Sequence, residues 1–171
     1  MSLGSEYLES AIARLNSYKD LAEKTFLQLK AVDFDYLPNE SSNSIALIIQ
    51  HMSGNMLSRW THFLTEDGEK TWRDRDDEFE SHEYNREQLM DLWERGWTCT
   101  LNALNALREE DLLKTIHIRK EALSALDAIN RQLAHYAYHV GQIVYIGKLL
   151  KDRDWETLTI PKANRSRLRN S

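Results

Sequence analysis

The sequence has few residues that interrupt helices and almost none that could cross-link the chain. It contains two prolines, six glycines and one cysteine among 171 residues. The scarcity of proline and glycine excludes a turn-rich β protein and favours long helices. The single cysteine, Cys99, excludes an intramolecular disulfide framework and is typical of reducing compartments. We therefore expect a helical, cytoplasmic protein.

Long apolar runs and an excess of positive charge are also missing. No run approaches the ~18 apolar residues of a membrane span, so we expect no contact with a membrane. The start of the chain lacks the charged and apolar regions of a signal peptide. The net charge of −5 argues against a general nucleic-acid binder, which needs a basic face to neutralise phosphates.

The remaining composition is that of an ordinary globular domain, with 42% apolar and 29% charged residues. The length suits one domain over residues 1–171, with an irregular basic tail from about residue 156. The tail contains one proline and four basic residues: Pro161, Lys162, Arg165, Arg167 and Arg169.

Four segments carry apolar residues at helical spacing, over about residues 5–31, 44–64, 85–107 and 124–151. The third and fourth open on the N-cap patterns that begin at Asn85 and Ser124. One short run, residues 115–119, is strand-like and predicts one arm of a small hairpin. The connections are longer than those between adjacent antiparallel helices. We therefore predict an all-α fold, a four-helix bundle with long crossover connections.

Two histidines lie one turn apart in the apolar fourth segment. His135 and His139, spaced i and i+4, place their imidazoles on one helix face, close enough to share an ion. By themselves they are more often core histidines that bond to a carbonyl or a water. The second segment adds His51 on a polar stripe along an apolar helix. Three imidazoles from two neighbouring helices form a facial ligand set for a divalent first-row metal.

Three polar side chains accompany this predicted metal site. Asn55 follows His51 by one turn and Gln142 follows His139, so either could bond to a ligand or to substrate, or simply provide packing polarity. Arg59 lies about 80° from His51 and could bind an anionic substrate or pair with the acidic loop that follows.

The other histidines and the cysteine are weaker candidates for metal binding. His62 lies about 16 Å along the helix axis from His51, too far to share its ion. His82 and His117 fall in loop-like segments and are expected to be solvated. Cys99, among apolar residues of the third helix, is expected to be a small buried hydrophobe.

With His51 on the second helix and HYAYHVGQI on the fourth, the chain resembles the DinB/YfiT-like superfamily of metalloenzymes. The matching positions are His51, His135, His139, Gly141 and Gln142. The stretch from residue 44 to residue 80 is similar to a branch of that superfamily known only as a domain of unknown function. The resemblance covers about residues 5–155.

The resemblance implies a four-helix bundle with a three-histidine site for nickel or zinc, with iron and manganese as alternatives. It also implies a homodimer, and a small-molecule substrate that in some relatives is a low-molecular-weight thiol. Five tryptophans and seven tyrosines agree with a dimer interface, although they could instead fill a large core. The charged loop at residues 73–83 and the basic tail depart from the superfamily, which puts the thiol in doubt.

Two functions compete for the predicted site. In the first, the metal lowers the pKa of a bound thiol or water in an enzyme such as a thiol-dependent transferase or a hydrolase. In the second, the site belongs to a non-catalytic, stress-associated dimer; a helical partner-binding module without metal would leave the three histidines unexplained. A separate general base would have to come from the acidic loop, which could equally be solvated or paired with Arg73 and Arg75. Its candidate bases are Asp74, Asp76, Asp77 and Glu78.

Overall fold

The structure, a computed structural model, describes residues 2–159 and is mostly helical. In this part of the chain the long elements are α1 (Leu3–Leu27), α2 (Ile45–Trp60), α3 (Arg86–Asn105) and α4 (Ala125–Lys151). An antiparallel hairpin, β1 (Thr115–Ile118) and β2 (Glu121–Ser124), lies between α3 and α4. The helical class is confirmed, and the hairpin adds a small sheet to it. The basic cluster predicted for the tail lies outside the described residues.

All four long helices begin at polar residues that cap them, with Ser2 at the start of α1. The Ser44 hydroxyl accepts a hydrogen bond from a backbone N–H in the first turn of α2. Asn85 and Gln88 form a reciprocal capping box at α3, as predicted. At α4 the Ser124 hydroxyl accepts from the N–H of Asp127. The predicted starts of α3 and α4 are therefore confirmed.

The helix ends are less accurate, because the backbone leaves the α-helical conformation in two helices before the apolar pattern ends. We predicted the first two helices to reach about residues 31 and 64, and both end earlier. After α1, the carboxylate of Asp33 accepts from the N–H of Lys30, which starts a separate short 3-10 turn. After α2, Thr61 is extended and His62 has a φ of 51° in the left-handed region. His62 therefore lies outside α2, although we predicted it within the second helix.

The hairpin is attached to the connection between α2 and α3. Its turn residues, Arg119 and Lys120, have positive φ values of 54° and 66°, as a tight hairpin turn requires. The carboxylate of Asp67 accepts hydrogen bonds from both of their backbone N–H groups, each at 2.8 Å. The turn is therefore held beside α2, from which the functional side chains project.

The core is dominated by large side chains between α2 and its neighbours. Trp60, Trp97 and Tyr136 are fully buried, and the Trp60 indole donates to the Tyr136 hydroxyl at 2.9 Å. Gly96 allows α3 to approach α2 closely, because a Cβ there would press on Met56. None of the helices within residues 2–159 has both the length and the apolar character needed to cross a membrane.

Helix α2 is buried on nearly every side and nevertheless carries a stripe of polar residues. The buried polar side chains of this helix include His51, Asn55, Ser58 and Arg59. A buried polar group is costly without a partner. The partners of this stripe therefore define the functional site.

Candidate metal centre

The structure brings the imidazoles of His51, His135 and His139 together between α2 and α4. The Nε2 atom of His135 lies 3.3 Å from Nε2 of His51 and 3.0 Å from Nε2 of His139. One nitrogen from each ring can be chosen so that all three lie within 4.8 Å of one another. The helical facing predicted from spacing therefore corresponds to a real cluster.

These separations suit a shared divalent ion. Ligand nitrogens about 2.1 Å from a zinc-sized ion lie about 3.0–3.4 Å apart at octahedral to tetrahedral angles. The two Nε2 separations fall within this range without movement of either helix. Two of the three nitrogen pairs therefore already have the spacing of a facial set of ligands, and the third lies within 4.8 Å.

At the centre of the cluster, the imidazole nitrogens have more lone pairs than N–H protons to bond with them. Nδ1 of His51 lies 2.9 Å from a carboxylate oxygen of Glu78, and Nδ1 of His139 lies 2.9 Å from the amide oxygen of Gln142. Both partners accept, so a neutral ring places its proton on Nδ1 and its lone pair on Nε2. Both lone pairs then point at Nε2 of His135, whose single N–H can satisfy only one. A cation at the centre resolves this conflict.

Glu78 is a member of the site that sequence reasoning placed in a solvated loop or an ion pair. Its side chain is 8% exposed and contacts both His51 and Arg73. The Arg73 guanidinium donates to the two carboxylate oxygens at 2.6 and 2.8 Å. Burial alone would raise the pKa of Glu78, but the bonds from Arg73 and His51 outweigh it and lower that pKa. Glu78 is therefore an ionised anchor for His51.

The anchor continues into a second carboxylate. Arg73 also contacts Glu69 at 3.3 Å, and Glu69 contacts the guanidinium of Arg59 at 3.2 Å. Arg59 also donates to the carbonyl of Gly68. We predicted that Arg59 would bind an anionic substrate or pair with the acidic loop. It pairs with Glu69, a carboxylate in the turn just before that loop. Negative and positive side chains thus alternate from Glu78 to Arg59.

The other two histidines differ in their support. His139 is anchored by Gln142, whereas Nδ1 of His135 has no hydrogen-bond partner among the described residues. The side-chain oxygen of Gln132, three residues earlier on α4, is also buried without a partner. The side-chain oxygen of Asn55 accepts from the Tyr136 hydroxyl at 3.2 Å, and Asn55 also lines the cavity beside the histidines. Gln142 therefore bonds directly to a histidine of the cluster, whereas the hydrogen bond found for Asn55 joins it to Tyr136.

Burial keeps two of the imidazoles neutral. It lowers the pKa of His135 to about 3, assisted by the charges that His139 and His51 would carry. It lowers the pKa of His139 to about 4, although the bond to Gln142 opposes the shift. Neutral imidazoles are the form that coordinates metal. At neutral pH these two rings are therefore ready to bind an ion without losing a proton.

The charged loop covers one side of the cluster. Phe79 stacks on the ring of His51 at 4.7 Å between centroids, and Gln50 donates to the carbonyl of Asp77 at 2.7 Å. Gly54, one turn after His51, gives Glu78 room, because a Cβ at that position would collide with the Glu78 carboxylate. The neighbouring candidate bases Asp74, Asp76 and Asp77 are exposed. Only Glu78 of the four acidic candidates reaches the histidines.

The histidines that were set aside lie away from the cluster. His62 is exposed beyond the end of α2, and His82 contacts Asp77 at 3.2 Å in the loop. His117 is an exposed residue of strand β1, not of a loop as expected. Cys99 is half-buried, with its sulfur 3.6 Å from the Thr61 hydroxyl.

A cavity of about 410 Å³ opens onto the three imidazoles. Its wall includes side chains of α2, α4, the charged loop and the turn of the hairpin. This volume falls in the range of small-molecule sites, about 300–1,000 Å³. A ligand could therefore reach an ion held by the histidines.

The fold and the site define a mostly helical protein in which helices α2 and α4 share a three-histidine cluster beside a cavity. The chain belongs to a protein family of unknown function, DUF1572, whose model matches residues 2–164. No curated protein matches the sequence significantly. The family is one of unknown function, as the resemblance implied, and its description names neither a superfamily nor an activity.

Proposed function

We propose that this chain is a divalent-metal enzyme of the DinB/YfiT-like type, with His51, His135 and His139 as the metal ligands. The proposal includes a four-helix bundle as the fold and zinc or nickel as the ion, since imidazole suits both. The main support for the proposal is the excess of imidazole lone pairs at the centre of the cluster. Imidazole lone pairs that converge on one point are unfavourable without a cation.

An accessible coordination position favours catalysis over a structural role. Structural zinc sites are closed by four protein ligands, whereas catalytic sites keep one position for water or substrate. Within the described part of the chain, the cluster has three candidate ligands and opens to the cavity. A divalent ion held there supplies a Lewis acid that lowers the pKa of a coordinated group.

The protein's own residues position the ligands and the substrate. Glu78 and Gln142 hold the protons of His51 and His139 on Nδ1, which keeps each Nε2 free to coordinate. Phe79 covers His51 and limits water on that side. Glu78 is a poor general base, because its oxygens are bound by Arg73 and its pKa is lowered. We therefore assign no proton transfer to a carboxylate of the loop.

The reaction class we favour is thiol-dependent transfer or hydrolysis of a small molecule in a homodimer. The superfamily resemblance supports the thiol, and the exposed aromatic residues Tyr138 and Tyr145 on α4 support an interface. A monomer mass in solution scattering at working concentration would contradict the dimer. The alternative is a non-catalytic metal-binding dimer, which a fourth protein ligand on the ion would favour.

Metal titration tests the proposal directly. Protein purified without nickel resin and treated with chelator should bind one zinc ion per chain in competition with a chromophoric chelator. His135→Ala should weaken binding by more than about a hundredfold, because a facial set loses a third of its ligands. His62→Ala is the control, since this exposed histidine lies outside the cluster and should leave the affinity unchanged.

Two outcomes would contradict the metal site. The first is an affinity of His135→Ala equal to that of the unaltered protein. The second is a loss of similar size in His62→Ala, which would indicate binding at surface histidines. If zinc binds as expected, X-ray absorption should show three imidazoles and an exchangeable light ligand, and a screen of thiols and electrophiles should then find turnover.

A further inference from the structure

The cavity beside the histidines is lined by arginines and by no acidic side chain. Five arginines line it, together with polar and aromatic residues: Arg59, Arg73, Arg75, Arg119 and Arg131. Aspartate and glutamate are absent from the same lining within residues 2–159. The whole chain nevertheless has a net charge of −5. The positive lining is therefore a local property of this cavity.

The five arginines divide into two groups according to their partners. Arg59 and Arg73 are buried and already engaged with Glu69 and Glu78. Arg75, Arg119 and Arg131 are exposed at the cavity and make no ion pair within the described part of the chain. Their guanidinium groups are available to a ligand.

These three residues come from different parts of the fold. Arg75 belongs to the charged loop, Arg119 to the hairpin turn, and Arg131 to α4 one turn before His135. The backbone N–H of Arg119 is bound by Asp67, which fixes the turn and leaves the guanidinium free. Three unpaired like charges around one cavity repel each other unless an anion lies between them.

We propose that the cavity binds a small organic oxyanion, a carboxylate or phosphoryl group, through Arg75, Arg119 and Arg131. Guanidinium groups recognise both anions by paired, charge-assisted hydrogen bonds. The inference deepens the proposed function, because the same substrate would present its reacting group to the histidine cluster. The acid group binds the arginines, and a metal-binding group at the other end of the molecule faces His135.

The acidic side chains nearby do not cancel this preference. Three acidic side chains line an adjoining cavity that also includes Arg75 and Arg119: Glu69, Asp74 and Asp76. Glu78 lies behind the histidines and is neutralised by Arg73. An anion that enters the cavity therefore meets only positive and neutral side chains.

The first experiment measures anion binding to the metal-free protein, so that it does not depend on the metal site. Isothermal titration with inorganic phosphate and with succinate, at low salt, should show one saturable site per chain. Arg119→Gln and Arg131→Gln should each weaken binding about five- to tenfold, the range for a partly exposed charge-assisted bond. The tighter of the two probes identifies the oxyanion that the site prefers.

The matched control is Arg14→Gln. Arg14 is an exposed arginine of α1 outside the cavity lining, so this variant has the same change in net charge. Its anion affinity should equal that of the unaltered protein. Equal affinity in all four proteins, equal weakening in the control, or no binding of either probe would overturn the proposal.

A second experiment tests whether the anion and the metal-binding group belong to one ligand. Protein loaded with cobalt(II) is titrated with 3-mercaptopropionate and with its neutral amide, and thiolate binding is followed by visible absorption. The acid should bind about tenfold tighter than the amide, and Arg131→Gln should remove that preference. If cobalt gives no site but phosphate binding still depends on the arginines, the metal function fails and the anion site remains. If cobalt and both thiols bind without preference for the acid, the single-ligand geometry is wrong.

Discussion

Gly54→Ala tests whether the Glu78 anchor supports the histidine cluster. Helix propensity predicts that this variant is more stable than the unaltered protein, whereas the structure predicts that it is less stable. Alanine is favoured over glycine inside a helix by about 1 kcal/mol. A Cβ at position 54, however, would collide with the carboxylate of Glu78. That carboxylate cannot simply rotate away, since Arg73 holds both of its oxygens and His51 bonds to one.

The expected cost follows from what Glu78 must give up. Breaking a buried ion pair costs about 3–5 kcal/mol, and the lower end applies because Arg73 retains its contact with Glu69. After subtracting the helix gain of about 1 kcal/mol, we expect a net loss of about 2 kcal/mol in the free energy of unfolding. We also expect zinc affinity to fall about 10–100-fold, the usual effect of removing a ligand's hydrogen-bond partner.

Urea denaturation of the metal-free protein and zinc competition measure the two effects separately. Gly141→Ala is the matched control, because this glycine is also helical and a Cβ there meets no atom within 4 Å. The control should gain up to about 1 kcal/mol and bind zinc normally. If Gly54→Ala is as stable as Gly141→Ala and binds zinc as tightly as the unaltered protein, the anchor does not have the role we assign to Glu78.

Two further predictions concern single carboxylates. Glu78→Gln should lower zinc affinity about 10–100-fold, because a neutral amide holds the His51 proton less strongly, whereas Asp76→Asn should leave it unchanged. Equal zinc affinity in both variants would contradict the role of Glu78. For Asp67, burial would raise the pKa, but hydrogen bonds from the backbone of Glu69, Lys120 and Arg119 outweigh it and lower the pKa. The stability that Asp67 provides is thus complete above its unfolded pKa of about 3.9 and is lost as pH falls through the lower folded value. Acid denaturation should show less of this loss in Asp67→Asn; identical pH profiles would refute it.

The histidine cluster could be predicted because helical periodicity fixes which side chains share a face. His135 and His139 must point the same way on any helix, and His51 needs only a neighbouring helix. Glu78 could not be found in this way, since it lies 27 residues from His51 in a loop without a repeating pattern. One signal was present: the loop combines Arg73 with a run of acids beside a predicted metal site, and metal-bound histidines usually bond to carboxylates.

The arginine-lined cavity also could not be predicted from the sequence pattern. Arg59 was a candidate for anion binding because it shares a helix with His51, but its burial against Glu69 became visible only in the fold. Arg119 reaches the cavity because a hairpin turn is held by Asp67, a contact across 52 residues. Helix ends were overestimated because apolar spacing continues past α1 and α2, whereas the backbone turns into a 3-10 helix after α1 and into a left-handed residue after α2.

The contact between His51 and Glu78 couples the folding of the charged loop to the binding of an ion by the histidines. Closing the flexible segment of about 18 residues between the end of α2 and Glu78 costs about 2.5 kcal/mol of chain entropy, which the contacts of Glu78 and Phe79 must offset. The same loop contributes Arg75 to the cavity. An ion bound by the histidines and an anion bound by the arginines, as we propose, would therefore stabilise the same ordered conformation. By thermodynamic reciprocity, each would raise the affinity for the other by an equal factor, so this loop would make the two binding events cooperative.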